Sequence, residues 1–73
     1  MTAKRYSVVI EPTKTGFSAY SPDVPGCAGA GDTEEETRQN FQEALMEHFN
    51  AMRELGEPIP EPHTSVDYVE VAA

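Results

Sequence analysis

The pattern of apolar and polar positions near the N-terminus is typical of β-strands. Residues 4–11 are rich in β-branched and aromatic side chains and predict a first strand. Residues 12–16 contain Pro and Gly and predict a turn, and residues 17–21 predict a second strand. Because the two runs are close in the chain, we expect an antiparallel hairpin. The small residues 27–31 predict a short third strand at a sheet edge, over which another element packs closely.

After residue 33 the spacing of apolar residues changes to a helical period. Apolar side chains recur at steps of three and four residues, which predicts one helix with a stripe that faces the sheet. The stripe consists of Phe41, Leu45, His48, Met52 and Leu55, widened by Ala44, Phe49 and Ala51. Thr33, followed by Glu36 three residues later, predicts a capping box at the helix start. Gly56 predicts the helix end.

The pattern beyond the helix predicts a connector and a last strand. Residues 56–63 contain three prolines and predict an extended connector, and residues 64–72 predict a fourth strand. A strand, a helix and a returning strand form a right-handed crossover. We therefore expect an α+β fold, a two-layer β-β-β-α-β arrangement. Its four-stranded mixed sheet has the order 3-2-1-4, with the one helix packed on one face.

Apolar residues are expected on both faces of this sheet. One helix covers only one face, whereas Val9, Tyr20, Val69 and Val71 point to the other. A short chain with uncovered apolar surface usually associates. We therefore expect a homo-oligomer, a dimer or larger, in which the helix-free face or an edge strand makes the contact.

The joint at residues 26–33 has the glycine spacing of a phosphate-binding loop but not its chemistry. A P-loop needs a Lys where this chain has Asp32, and the acidic residues 34–36 would repel a phosphate. The third glycine of a dinucleotide-binding loop is replaced by Glu34. We interpret the joint as a strand-to-helix turn in which Asp32 and Thr33 satisfy free amides. No cofactor is expected.

Composition limits the possible functions. The 73 residues suffice for one domain, residues 1–73, with a small core. Thirteen acidic residues against five basic ones give a net charge of −8, which repels nucleic acid and attracts basic proteins, although from composition alone the simpler interpretation is that the charge keeps the protein soluble. The single cysteine, Cys27, excludes an internal disulfide and is interpreted as a packing residue. No signal peptide and no membrane-spanning run are recognised, so we expect a cytoplasmic protein without membrane association.

Over nearly all of its length the chain resembles the HicB-like antitoxins of toxin–antitoxin systems. The resemblance rests on YSVVIE, on GFSAYSPDVPGCAGAGDT, on the acidic helix and on LGEPIPEP. Its most specific part is YSPDVPGC…GDT, residues 20–33. The motif positions are Pro22, Asp23, Pro25, Gly26, Cys27, Gly31, Asp32, Thr33, Gly56, Pro58 and Pro60. The resemblance implies a degraded RNase H-like fold of three strands, a helix and a fourth strand, in which these positions are structural.

The resemblance also implies a function and a partner. HicB-like antitoxins bind and block HicA, a small basic RNA-cleaving toxin, and the acidic composition agrees with such a partner. Many members carry a C-terminal DNA-binding domain. Because this chain ends at Ala73, just after the predicted fourth strand, we expect no such domain and no direct nucleic-acid binding. The sequence does not identify the surface that contacts the toxin. The candidates are Glu34, Glu35 and Glu36 at the helix start, which helix capping explains equally well.

Two other functions stay open. A stand-alone oligomeric scaffold or regulatory domain would need no toxin. A residual metal-dependent nuclease would need converging carboxylates from the first strand, the helix and a later strand, and Glu11, Glu43 and Asp67 are the nearest candidates. Glu11 lies at a strand end and Glu43 on the polar side of the helix. We therefore expect a binding protein rather than an enzyme, with no catalytic and no metal-binding residues.

Overall fold

The computed structural model describes residues 3–73, which form a three-stranded sheet with a helix on one face. The elements, in chain order, are β1 (Val9–Pro12), β2 (Phe17–Ser21), β3 (Val24–Gly31) and α1 (Glu34–Glu54). The strand order is β1-β2-β3, and both pairs are antiparallel. The predicted hairpin of the first two strands is confirmed. Its turn is closed by a hydrogen bond from the Thr13 amide to the Gly16 carbonyl, 2.8 Å long.

The predicted four-stranded sheet with the order 3-2-1-4 is wrong. Residues 64–72 form no strand, and residues 65–73 are exposed to solvent. The reason lies in the connector, since its residues His63 and Thr64 are hydrogen-bonded to Asp23 at the turn between β2 and β3. The chain that follows therefore leaves the sheet at this turn instead of running beside β1. The alternating pattern of residues 64–72 did not reveal this attachment.

Two strand boundaries also differ from the prediction. The first strand begins at Val9 rather than at residue 4, because only Val9 and the residues after it lie opposite β2. The third strand begins at Val24 and continues through an irregularity at residues 25–27, since Ser21 pairs with Val24 but Tyr20 pairs with Ala28. Gly26 has a φ of +85°, a conformation that suits glycine and allows the bulge.

The core lies between the sheet and α1. Its buried apolar residues are Ala19, Val24, Cys27, Phe41 and Phe49. Of the predicted helical stripe, Phe41 is buried and Leu45, His48 and Met52 are half-buried, whereas Leu55 is 74% exposed as the C-cap residue. Thr37 is fully buried although it was not predicted, and its hydroxyl donates a 2.7 Å hydrogen bond to the Thr33 carbonyl. That bond satisfies a polar group that would otherwise oppose burial.

The helix starts and ends where the sequence predicts. Thr33 is the N-cap residue, and its Oγ1 accepts a 3.0 Å hydrogen bond from the Glu36 amide. The Glu36 carboxylate accepts from the Asp32 amide at 2.9 Å, one residue before the position expected in a capping box. Gly56 follows the C-cap with a φ of +73°. Among residues 3–73, no helix is long and apolar enough to cross a membrane.

Replacing Thr33 by Ala is expected to lower the free energy of unfolding by about 1 kcal/mol. The physical reason is that the Glu36 amide loses its only side-chain acceptor at the helix start. Urea denaturation of the two proteins measures the difference. Thr33→Ser keeps the hydroxyl and serves as the control, so an equal loss in both variants would show that the cap is not the cause.

Candidate interaction surfaces

Asp23 joins the YSPDVPGC motif to the connector that follows the helix. Its side chain is fully buried at the turn between β2 and β3. The carboxylate accepts hydrogen bonds from the Thr64 hydroxyl at 2.6 Å, the Thr64 amide at 3.1 Å and the His63 amide at 3.1 Å. The Tyr6 hydroxyl donates to the Pro60 carbonyl at 2.6 Å. The motif, the N-terminal segment and the connector are therefore one bonded unit.

These donors hold the pKa of Asp23 below its usual value of 3.8. The Thr64 hydroxyl is the largest cause, burial opposes it, and the amides of Thr64 and His63 reinforce it. A carboxyl group whose pKa is lower in the folded chain stabilises the fold above its unfolded pKa. It loses that contribution as the pH falls through the folded pKa. An ionised Asp23 therefore fixes the connector at neutral pH.

Replacing Asp23 by Asn is expected to lower the melting temperature at pH 7, because the amide cannot accept all three hydrogen bonds as a carboxylate does. The difference between the two proteins should shrink as the pH falls below about 3.8, since the wild-type carboxyl group then also becomes neutral. Thermal unfolding between pH 7 and pH 2 measures this. Asp67→Asn, at an exposed position, is the control. A difference independent of pH would contradict the role of the ionised group.

The other motif positions lie in the turns, in β3 and in the connector. Four of them are exposed to solvent: Pro22, Pro25, Asp32 and Pro58. Gly26 lies in the bulge of β3, Gly31 lies against Thr37, and Gly56 follows the helix. The Pro60 carbonyl accepts the hydrogen bond from Tyr6. Cys27 is buried, and burial raises the pKa of its thiol, so the group stays neutral and packs in the core. The Asp32 side chain makes no hydrogen bond within the described chain, and its contribution to the helix start comes from its backbone amide.

The acidic helix start is largely occupied by local contacts. Arg38 donates to both carboxylate oxygens of Glu35 at 2.6 Å and holds the pKa of Glu35 below its usual value. Glu36 takes part in capping. Of the three glutamates proposed from the sequence, only Glu34 makes no side-chain hydrogen bond among the residues that the structure describes. Of the three glutamates, Glu34 thus offers the one carboxylate that is unengaged within the described residues.

A longer row of carboxylates runs along the outer side of α1. Glu36, Glu43, Glu47 and Glu54 follow one another at steps of seven, four and seven residues, and a helix with 3.6 residues per turn places them in one line. The line is about 27 Å long at 1.5 Å per residue. All four are exposed, and no ion pair within residues 3–73 involves any of them. We call these four residues the acidic ridge.

The acidic ridge lies on the side of α1 opposite Phe41 and Phe49, which pack in the core. Its charges face solvent and have no ion-pair partner in the part of the chain that the structure describes, so they create a continuous negative potential. The sequence pattern places Glu43 on the polar side of the helix, but the row itself was not predicted. The signal that could have revealed it is the seven-four-seven spacing.

An apolar groove lies on one flank of α1, between the helix and the N-terminal segment. Its volume is about 430 Å³. Its lining consists of Ala3, Lys4, Tyr6, Gln42, Leu45, Met46, Phe49, Arg53 and Ile59. The rings of Tyr6 and Phe49 pack with their centroids 5.2 Å apart. The groove was not predicted, because the fourth strand was expected on this side of the sheet. We call it the apolar groove.

The three carboxylates considered for a nuclease lie on separate elements. Glu11 is in β1, Glu43 is on the acidic ridge, and Asp67 lies in the exposed C-terminal segment, where it accepts from the Tyr68 amide at 2.7 Å. Within residues 3–73, no group of three His, Cys, Asp or Glu side chains is placed to hold a metal ion. The arrangement therefore gives no support to the nuclease hypothesis.

Comparisons with known proteins find relatives along nearly the whole chain. The family model of the HicB-like antitoxin of bacterial toxin–antitoxin systems matches residues 6–72. Antitoxin HicB 2 of Photorhabdus laumondii is 39% identical over 70 residues, which cover 94% of this chain and 50% of the relative. An uncharacterised 14.9 kDa protein from the rep-hol intergenic region of Haemophilus phage HP1 is 38% identical over 64 residues, covering 88% and 48%. The chain spans about half the length of these curated relatives.

A solved structure shares both fold and sequence with the chain. A chain of the HicA3 and HicB3 toxin–antitoxin complex matches with a TM-score of 0.72 and 37% identity. The match covers 82% of the present chain and 70% of that chain. The similarity thus extends over most of the present chain.

Proposed function

Because the chain belongs to the HicB-like antitoxin family of bacterial toxin–antitoxin systems, we propose that it binds a small basic HicA-type ribonuclease and masks its active site. The observation that carries the proposal is the likeness to a chain of the HicA3 and HicB3 complex. The net charge of −8 supports it, since such a surface attracts a basic protein. The proposed role is binding rather than catalysis, by a single domain formed by residues 1–73. The proposed location is the cytoplasm, where a ribonuclease toxin has its substrate.

The acidic ridge is the proposed contact with the toxin. A ribonuclease that cleaves RNA must bind a row of phosphates and therefore presents basic side chains near its active site. Glu43, Glu47 and Glu54 present a row of carboxylates on a rigid helix, with no ion-pair partner in the described residues. A row of this kind competes with RNA for the same basic surface. Glu36 at the end of the ridge links it to the helix start proposed from the sequence.

A rigid helix suits this role because its backbone loses little conformational entropy on binding. The ridge residues project from one continuous helix, which is capped at its N-terminus by Thr33 and packed on β3. Binding therefore orders only the glutamate side chains, at roughly 0.5–1.5 kcal/mol for each one immobilised. The negative charges also accelerate encounter with a basic partner.

Co-expression with a HicA-type toxin from the same genome tests the proposal. The toxin alone should arrest growth, and the antitoxin chain should restore growth and co-purify with the toxin. Circular dichroism of the purified chain verifies that it is folded. Persistent growth arrest, with folded chain present and no complex recovered, would reject the antitoxin function and favour a stand-alone scaffold.

A further inference from the structure

We propose that the C-terminal tail, residues 65–73, of one copy packs as a strand into the apolar groove of a second copy, and that the exchange is reciprocal. The tail pairs with residues 4–8, which form the N-terminal wall of the groove. This self-association uses surfaces other than the acidic ridge and goes beyond the proposed antitoxin function.

The tail is an apolar segment with the composition of a strand, and it is exposed and pairs with no strand among residues 3–73. Tyr68 is 89% exposed, Val69 85% and Val71 78%, and Val66 is exposed as well. The radius of gyration is 14.0 Å, whereas a compact chain of this length has about 11 Å. The longest dimension of the molecule is 48 Å. Contiguous exposed apolar residues of this kind mark an interaction segment rather than an ordinary surface.

The edge that would receive the tail is formed by residues 4–8, which we call the receiving edge. Residues 4–8 have the composition of a strand, yet they lie before β1 and form no backbone-to-backbone hydrogen bond with another element among residues 3–73. Such an edge can accept an added strand, because its amides and carbonyls are available for pairing. The adjacent groove supplies apolar contacts for the side chains of that strand, from Leu45, Met46 and Phe49.

The course of the connector favours a second copy over the chain's own tail. The connector lines the groove at Ile59 and is bonded to Tyr6 through the Pro60 carbonyl. It then continues to the turn between β2 and β3, where Asp23 holds Thr64. The tail thus starts beyond its own groove and would have to reverse direction to enter it. A neighbouring molecule can insert its tail without this reversal.

The basic residues around the apolar groove also favour an acidic segment as its occupant. Lys4, which is paired with Glu61 of the connector at 2.6 Å, and Arg53 line the groove, and Arg5 lies in residues 4–8, so three of the five basic residues are concentrated here. The tail carries Asp67 and Glu70 and no basic residue. A second copy of the tail therefore complements the groove in charge, whereas a basic toxin does not. Because each copy has one tail and one groove, reciprocal exchange closes a two-fold dimer.

Sedimentation at micromolar concentration tests the proposal with variants that leave the folded monomer intact. The wild type is expected to be a dimer. Val69→Pro should be a monomer, because proline removes a pairing amide from the tail, and Val69→Ile should remain a dimer. Met46→Glu should also be a monomer, because it places a carboxylate in the groove opposite an acidic tail. Gln39→Glu, which adds the same charge on α1 outside the groove, should remain a dimer.

Mixing the two monomeric variants tests whether the dimer contact joins the tail of one copy to the apolar groove of the other. Val69→Pro retains an open groove, and Met46→Glu retains a functional tail. Their mixture should form a heterodimer with one exchanged tail, although neither variant dimerises alone. A monomeric wild type would overturn the proposal, as would a Val69→Pro protein that is still a dimer. A mixture that contains only monomers would overturn it too.

Discussion

Replacing Gly29 by Ala is expected to lower the free energy of unfolding by about 3 kcal/mol, at the upper end of the usual cost of overpacking. A Cβ at this position would lie 2.8 Å from the Cα of Phe41 and 2.9 Å from its Cβ. Real Cβ atoms essentially never approach so closely, so α1 has to move away from β3. The Phe41 side chain cannot relieve the clash by rotating, because the contact involves its backbone.

The loss is large relative to the whole stability of the domain. A chain of this length has a free energy of unfolding of about 4–11 kcal/mol. A loss of about 3 kcal/mol shifts the melting temperature by about 12–24 °C in a domain of this size. Thermal denaturation followed by circular dichroism measures this shift. Ala28→Ser adds one heavy atom at the neighbouring exposed position and should change little. If Gly29→Ala melts with the wild type, the close packing of α1 on β3 is refuted.

Neutralising three residues of the acidic ridge is expected to reduce the rate of association with a HicA-type toxin by about tenfold at low salt. The variant carries Glu43→Gln, Glu47→Gln and Glu54→Gln. Glu36 is retained because it contributes to the helix start. Gln is a good helix former, so the fold is preserved. The dissociation rate should change less, since exposed charges act mainly on encounter.

A matched variant shows whether the association rate depends on where the charges are removed or only on how many are removed. Glu11→Gln, Glu57→Gln and Glu70→Gln together remove three exposed negative charges that lie outside the ridge. This variant should associate faster than the ridge variant at low salt, and the difference should disappear at high salt, where exposed charges are screened. Stopped-flow binding to an inactive toxin measures both rates. Equal association rates for the two variants would place the toxin contact elsewhere.

Local signals in the sequence were sufficient for the hairpin and for the helix. Thr33 and Gly56 predicted the helix limits because N-cap and C-terminal signals depend on neighbouring residues only. The small residues after Cys27 predicted the close packing that Gly29 makes against α1. Where the chain continued past the helix, the prediction failed. The alternating apolar residues in 64–72 are typical of a strand, but they do not indicate which strand it would pair with. The hydrogen bonds between Asp23 and Thr64 join residues far apart in the chain, which local signals do not predict.

The candidate surfaces were predictable in part. The net charge indicated a basic partner, but it did not locate the contact, because capping and local ion pairs account for Glu35 and Glu36 at the helix start. The acidic ridge follows from helical spacing and could have been derived before the structure was known. The apolar groove could not, because it exists only where the N-terminal segment and Ile59 meet α1 in space.

The central claim is that this chain masks the active site of a HicA-type ribonuclease, and RNA cleavage by the purified toxin tests it most directly. The substrate is a labelled RNA, and the antitoxin chain is titrated into a fixed amount of toxin. The account predicts that cleavage falls steadily and is abolished once the chain is equimolar with the toxin. Cleavage that continues at its full rate in a large molar excess of folded chain would contradict the account.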